Sequence, residues 1–126
     1  MRKAPILAGL LIGAATCGTA DAHNPTTPPA AKAVGKPVDC LPITSLDQSE
    51  VYGDSTIDFH TKDGKIFRNT LPSSCPQLGF EEKFSYATST SQLCSTDIVT
   101  VLISPGITRG SSCGLGQFQQ IESAAK

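Results

Sequence analysis

The chain has 126 residues, 39% hydrophobic and 17% charged, with ten basic against eleven acidic side chains and a formal net charge of −1. That length carries one domain and excludes multidomain enzymes and most large α/β catalytic folds. The balanced charge shows neither a basic excess directed at nucleic acid nor an acidic tail, and two histidines with no tryptophan leave few catalytic or ligand groups.

Residues 1–22 read as a secretory signal peptide. Arg2 and Lys3 form a positive start, Ala4 to Ala15 is an apolar run, and Ala20-Asp21-Ala22 supplies the A-x-A pattern expected before cleavage. The run is shorter than the roughly 20 apolar residues of a membrane span. Cys17 would be the lipid-bearing residue of a lipoprotein, but Ala14-Ala15-Thr16 before it departs from the usual Leu, small residue, then Gly or Ala. Membrane attachment is therefore expected only if Cys17 is lipidated. Cleavage after Ala22 removes Cys17 and turns five cysteines into four: Cys40, Cys75, Cys94 and Cys113. An even count in a small exported chain predicts two disulfides, and the location follows as periplasmic or extracellular. Four cysteines allow three pairings, and the nested one is favoured although sequence alone does not fix connectivity. The nested arrangement, Cys75–Cys94 with Cys40–Cys113, encloses one strand and ties the domain's two ends. Its rings would contribute roughly 3 and 4–5 kcal/mol through the chain entropy of the unfolded state.

His23 to Pro37 is rich in Pro and Ala and contains neither an aromatic residue nor an acid, which predicts a disordered tether. The domain is expected over 38–122, with a frayed end at 123–126. Its hydrophobic period is mostly two. Thr56 to Thr61 alternates Ile57 and Phe59 with Asp58 and His60, and Lys65 to Leu71 follows a Lys62-Asp63-Gly64 loop. A two-residue loop would mix polar and apolar side chains on each face. A three-residue loop with Gly64 left-handed puts Phe59 opposite Phe67 and Asp58 opposite Arg68, gathering Ile57, Phe59, Phe67 and Leu71 on one face. That register turns Asn69 toward the apolar side, either as a structural hydrogen-bond hub or as a ligand contact. A turn at Gly53-Asp54 would pair 48–52 with 55–60.

Further strands are expected at 82–88, with Phe84 and Tyr86 on one face, and at 97–103, apolar on both faces except Thr100 and so central. Asp97 fits a turn leading into that strand, through a side-chain bond to the backbone. Residues 116–121 read as a weaker strand, although Leu115, Phe118 and Ile121 would also suit a helical stripe. Ser45-Leu46-Asp47-Gln48 resembles a capping box, yet no helix-period run follows it. The expected fold is mainly β: a small antiparallel sheet of about five to six strands, curled into a barrel or sandwich and held by two disulfides.

Gly110-Ser111-Ser112-Cys113-Gly114 satisfies G-x-S-x-G, but it lies in a Gly/Ser stretch whose only domain histidine is His60, and is read as a flexible turn in the loop 110–116. His23, a new N-terminus after cleavage, could join His60 in a copper(II) site, although two imidazoles on a loose arm do not preorganise one. The absence of C-x-x-C points to structural cystines rather than redox-active thiols. Adjacent Glu81 and Glu82 would face opposite sides of a strand and make no catalytic dyad.

Thr56-Ile57-x-Phe59, Arg68-Asn69-x-Leu71, Cys75-Pro76-x-Leu78, Phe84-x-Tyr86, Gln92-Leu93-Cys94, Asp97-Ile98-x-x-Val101-Leu102 and Cys113-Gly114-Leu115-Gly116-x-Phe118 occur in that order. Over about residues 40–120 the set resembles an uncharacterised family of small exported bacterial proteins, domain-of-unknown-function family 6491. Gln77 stands where that resemblance expects glycine. The resemblance implies export and a disulfide-bonded β domain and implies no activity.

The expected function is a non-enzymatic binding or structural module of the cell envelope, without cofactor, meeting an unidentified envelope protein or glycan and no nucleic acid. The alternative is a small extracytoplasmic enzyme or metal binder using His60 and His23 or the loop 110–116. A pocket gathering several of His60, Asn69, Asp97 and Ser112 would favour the alternative. Their scatter over unrelated faces would favour the module.

Overall fold

In the computed structural model, residues 23–88, 90–105 and 108–123 are described. The expected signal peptide with Cys17, and residues 124–126 of the expected frayed end, lie outside them. The elements in chain order are β1 (Ala31–Ala33), β2 (Cys40–Pro42), β3 (Leu46–Tyr52), β4 (Thr56–Thr61), β5 (Ile66–Thr70), α1 (Leu78–Glu81), β6 (Phe84–Tyr86), β7 (Gln92–Cys94), β8 (Ile98–Ile103), β9 (Thr108–Gly114) and β10 (Phe118–Ser123). Every strand pairing is antiparallel. The strands form a five-stranded sheet in the order β1-β10-β5-β4-β3, a pair β2-β7 and a three-stranded sheet β6-β8-β9. None of these sheets closes into a barrel, and the described residues form ten strands where five to six are expected.

The β4–β5 hairpin has the three-residue loop. Gly64 takes φ 90° and its N–H donates to Thr61 O at 3.0 Å. Phe59 lies opposite Phe67 and Asp58 opposite Arg68. Only glycine holds that backbone angle at little cost, so the loop selects the register and with it the face each side chain meets. On the inner face Ile57, Phe59 and Leu71 are buried, and Phe67 packs against them. A hairpin forms where the Gly53-Asp54 signal predicts a turn, but the turn includes Ser55, so Tyr52 lies opposite Thr56 and Gln48 opposite His60.

One core joins the three sheets. Val51, Ile57, Phe59 and Phe118 come from the large sheet, Leu41 and Leu93 from the pair, and Val99 and Val101 from the small sheet. The Phe59 ring meets Phe84 and Phe118 edge-on, with centroids 6.2 and 5.5 Å apart. β8 is the middle strand of its sheet, but Ile98 at its start is 54% exposed, so the strand is not apolar-buried throughout. Residues 118–123 form a strand rather than a helical stripe. Phe118 points into the core while Ile121 lies on the sheet's other side, beside His60 and Ile66. The spacing of three therefore reaches two faces.

Three sequence expectations are corrected. The disulfides are Cys40–Cys94 and Cys75–Cys113, with Cα separations of 4.0 and 5.8 Å, and the nested pairing does not form. Cys40 and Cys94 are directly opposite on β2 and β7. Cys113 on β9 meets Cys75 in the segment before α1. The segment expected as a tether contains β1, which pairs with β10 from Ala31↔Ser123 to Ala33↔Ile121. Backbone pairing along an open sheet edge needs no apolar side chains, so the composition of 23–37 does not reveal it. The loop 110–116 is strand β9 as far as Gly114, its Gly/Ser content hiding a ladder with β8. At Ser45–Gln48 a 3-10 turn over Ile43–Ser45 runs straight into β3, in keeping with the lack of a helix-period run after the capping-box match.

Gln77, the position where glycine is expected, has φ 73°. A left-handed backbone is the one glycine adopts freely and a Cβ disfavours.

Candidate functional site

The outer face of the large sheet brings together Glu50, Asp58, His60 and Arg68. Alternation along β4 sends Ile57 and Phe59 inward and Asp58 and His60 outward. Across the strands Glu50 is opposite Asp58, and Asp58 is opposite Arg68. Two carboxylates directly opposite repel. Arg68 offsets this with two parallel bonds, Nε to Asp58 Oδ1 at 2.8 Å and Nη2 to Oδ2 at 2.9 Å. The pair is well buried, at 17% and 5% side-chain exposure for Arg68 and Asp58. The bidentate Asp58 bond holds the Arg68 guanidinium above its ordinary value despite partial burial.

Glu50 is the second anion. Its Oε1 accepts from Tyr52 Oη at 2.8 Å and lies 3.3 Å from His60 Nε2. Burial, then the bond to Glu50, then the charges of Glu50 and Asp58 push the Tyr52 phenol up to about 12, against a smaller opposing effect of Arg68. The phenol thus stays protonated and donates. Above these groups, Pro29, Ala30 and Ala31 of the N-terminal segment form one wall of a half-open cavity of about 150 Å³, with Ile66 and Ile121 on other sides.

The N-terminal segment is anchored upstream of this wall. The His23 ring stacks on Phe80 with centroids 5.3 Å apart and donates from Nε2 to Phe80 O at 2.7 Å. Asn24 N–H donates to Glu82 Oε2 at 2.6 Å, and Asn24 Nδ2 to Val51 O at 3.0 Å. His23 therefore borders a different cavity, of about 480 Å³ beside α1, from the one His60 lines. The two imidazoles are not brought together. Among the described residues no group of three or more His, Cys, Asp or Glu side chains is placed to hold a metal ion, and no helix is long and apolar enough to cross a membrane.

The other predicted residues are dispersed. Asn69 is fully buried. Its Nδ2 donates to Gly116 O at 2.7 Å and its Oδ1 accepts from Gly116 N at 2.8 Å, the hub of the two roles expected for it. A Cβ at Gly116 would collide with Thr70 O, so the amide meets bare backbone there. Asp97 Oδ2 accepts from Cys94 N at 2.7 Å, tightening the turn between β7 and β8. Ser112 sits outward on β9, 3.0 Å from Thr100 Oγ1, with no histidine bonded to it. The G-x-S-x-G match is thus a strand edge and not a strained strand-to-helix turn. Glu81, in α1, accepts from Ser104 N and Oγ, and Glu82 accepts from Asn24.

Sequence reasoning named His60 but missed Glu50 and Tyr52 as its neighbours. Only part of the signal was present: the β4–β5 loop sets Asp58 opposite Arg68. A turn at Gly53-Asp54 alone would set Glu50 opposite Ile57, and the added Ser55 brings it opposite Asp58. The covering segment carried no such signal. The chain matches no family model, no curated protein and no solved structure.

Proposed function

We propose that the chain is an exported, non-enzymatic binding or structural module of the cell envelope, its sheets packed in a barrel- or sandwich-like manner, and that it belongs with domain-of-unknown-function family 6491, which it resembles. The carrying observation is dispersal. His60, Asn69, Asp97 and Ser112 occupy four separate places, and each has a bonding partner within the fold. Catalysis needs a nucleophile or base within reach of a shared reacting atom, and such a grouping is missing from these four. Two disulfides are consistent with an oxidising compartment, which supports export. The partner is an envelope protein or a glycan.

The test is capture from a solubilised envelope fraction on tagged mature protein with both disulfides intact, beside the same protein reduced and alkylated. An envelope component retained by the oxidised protein and lost from the reduced control is the expected result. Recovery of the same background on both overturns the reading.

A further inference from the structure

The cavity on the outer face of the large sheet is polar at one end and apolar along its walls, and its charge is not balanced. Asp58 is consumed by Arg68, since each carboxylate oxygen accepts one guanidinium N–H. Glu50 is not consumed in the same way. Tyr52 and His60 both approach Oε1, and Oε2 has no partner among the described residues. Of the charged side chains lining the cavity, Glu50 and Asp58 are acidic and Arg68 is basic. Once the Asp58–Arg68 pair is set aside, Glu50 is left as the excess anion. A carboxylate beside a half-buried apolar wall attracts a cation that can bury an alkyl chain while its head stays hydrogen-bonded.

Size narrows the choice. About 150 Å³ is the volume that holds one benzene ring, too small for a sugar with its hydroxyls and close to that of a short unbranched alkylammonium. A guanidinium is disfavoured because Asp58, the carboxylate placed for a bidentate fork, already holds Arg68. We propose that this cavity is a binding site for a primary alkylammonium group, with Glu50 as its anionic partner, the Tyr52 oxygen as a second acceptor, and Ala31, Ile66 and Ile121 against its chain. The group could belong to a free alkylamine or to a lysine side chain of a protein partner. The inference rests on the binding-module reading and names the chemistry that module would recognise.

The experiment is an NMR titration of the mature, oxidised protein, following the Tyr52 and His60 side chains, with n-butylammonium, capped lysine (Nα-acetyl-lysine methylamide) and n-butanol as probes. Saturable shifts with n-butylammonium at millimolar concentration, and none with n-butanol, are expected. Glu50→Gln, whose side chain is 42% exposed and whose fold is checked by its amide spectrum, should weaken binding about tenfold or more. If capped lysine binds as n-butylammonium does, the source is a lysine side chain; if only n-butylammonium binds, it is a free amine. No shift with either amine, equal shifts with n-butanol, or unchanged binding by Glu50→Gln overturns the proposal. Envelope capture that succeeds while this titration fails removes the ammonium site alone. Failed capture with a successful titration removes only the envelope role.

Discussion

Asn69 shows how one buried amide can stand in for a stretch of ladder. It reaches both backbone groups of Gly116, which lies in the link between β9 and β10 and cannot carry a side chain. Replacing Asn69 with Ala would remove the partner of the partly buried Gly116 N–H and C=O and leave a cavity, and should cost about 2–4 kcal/mol. Urea unfolding of the oxidised protein measures it, and a loss under about 1 kcal/mol would remove Asn69 from the role of hub. Tyr52 makes a second residue-scale prediction. Its folded value of about 12 lies above the unfolded value near 10.0, so the folded state holds the phenolic proton more tightly. The resulting stability is fully present below pH about 10 and is lost as the pH rises through about 12. Tyrosinate absorbance of a Tyr86→Phe variant isolates Tyr52. Glu50→Gln should lower that midpoint without returning it to the ordinary value, because burial is the larger cause. A midpoint unmoved by the substitution would disconnect the phenol from Glu50.

Among the elements, the weakest in sequence are joined by the strongest links. β2 and β7 have three residues each and pair only with one another, and the Cys40–Cys94 bond spans them. β9, rich in Gly and Ser, is tied to the segment before α1 through Cys113 and Cys75. The bonds close sequence separations of 54 and 38, and chain entropy assigns each about 4 kcal/mol. Paired replacement by Ser, Cys40 with Cys94 or Cys75 with Cys113, should therefore destabilise by similar amounts, read as a drop in urea midpoint. Non-reducing peptide mapping must return a Cys40 peptide linked to a Cys94 peptide. Linkage of Cys40 to Cys113 would reinstate the nested pairing. The longer elements were legible where they obey period two: β4 and β5 could be placed with their faces, whereas β10 reads only as a weak strand or a helical stripe. β1, β2, β7 and β9 were not legible, since three residues or a Gly/Ser run carry too little pattern to distinguish a strand from a loop.

At the scale of the molecule the N-terminal segment does most to complete the fold. It runs from His23 on Phe80, past the cavity wall at 29–31, to β1 along β10, where Val34 N–H donates to Gln120 O at 2.9 Å. Removing residues 23–34 should open the β10 edge. The Glu122 amide, opposite Lys32, should then exchange faster, whereas Phe118, whose N–H donates to Val38 O at 2.8 Å, should keep its protection. An unpaired edge also promotes association between chains, so the truncated protein should sediment as larger species at high concentration. Unchanged Glu122 exchange would mean that β1 contributes nothing to the edge. The amino-acid sequence by itself determined the mainly antiparallel β character, the number of disulfides, the register of the β4–β5 hairpin and the inward turn of Asn69. Each follows from a local rule: alternation, an even cysteine count, or a glycine with positive φ in a short loop. The tertiary structure alone decided which cysteines pair, that a Pro/Ala-rich segment becomes an edge strand, and that Glu50, Tyr52 and His60 share a cavity with the Asp58–Arg68 pair. These outcomes depend on contacts between segments distant in the chain, where the hydrophobic core and the open sheet edge select the partner and no local pattern records the choice.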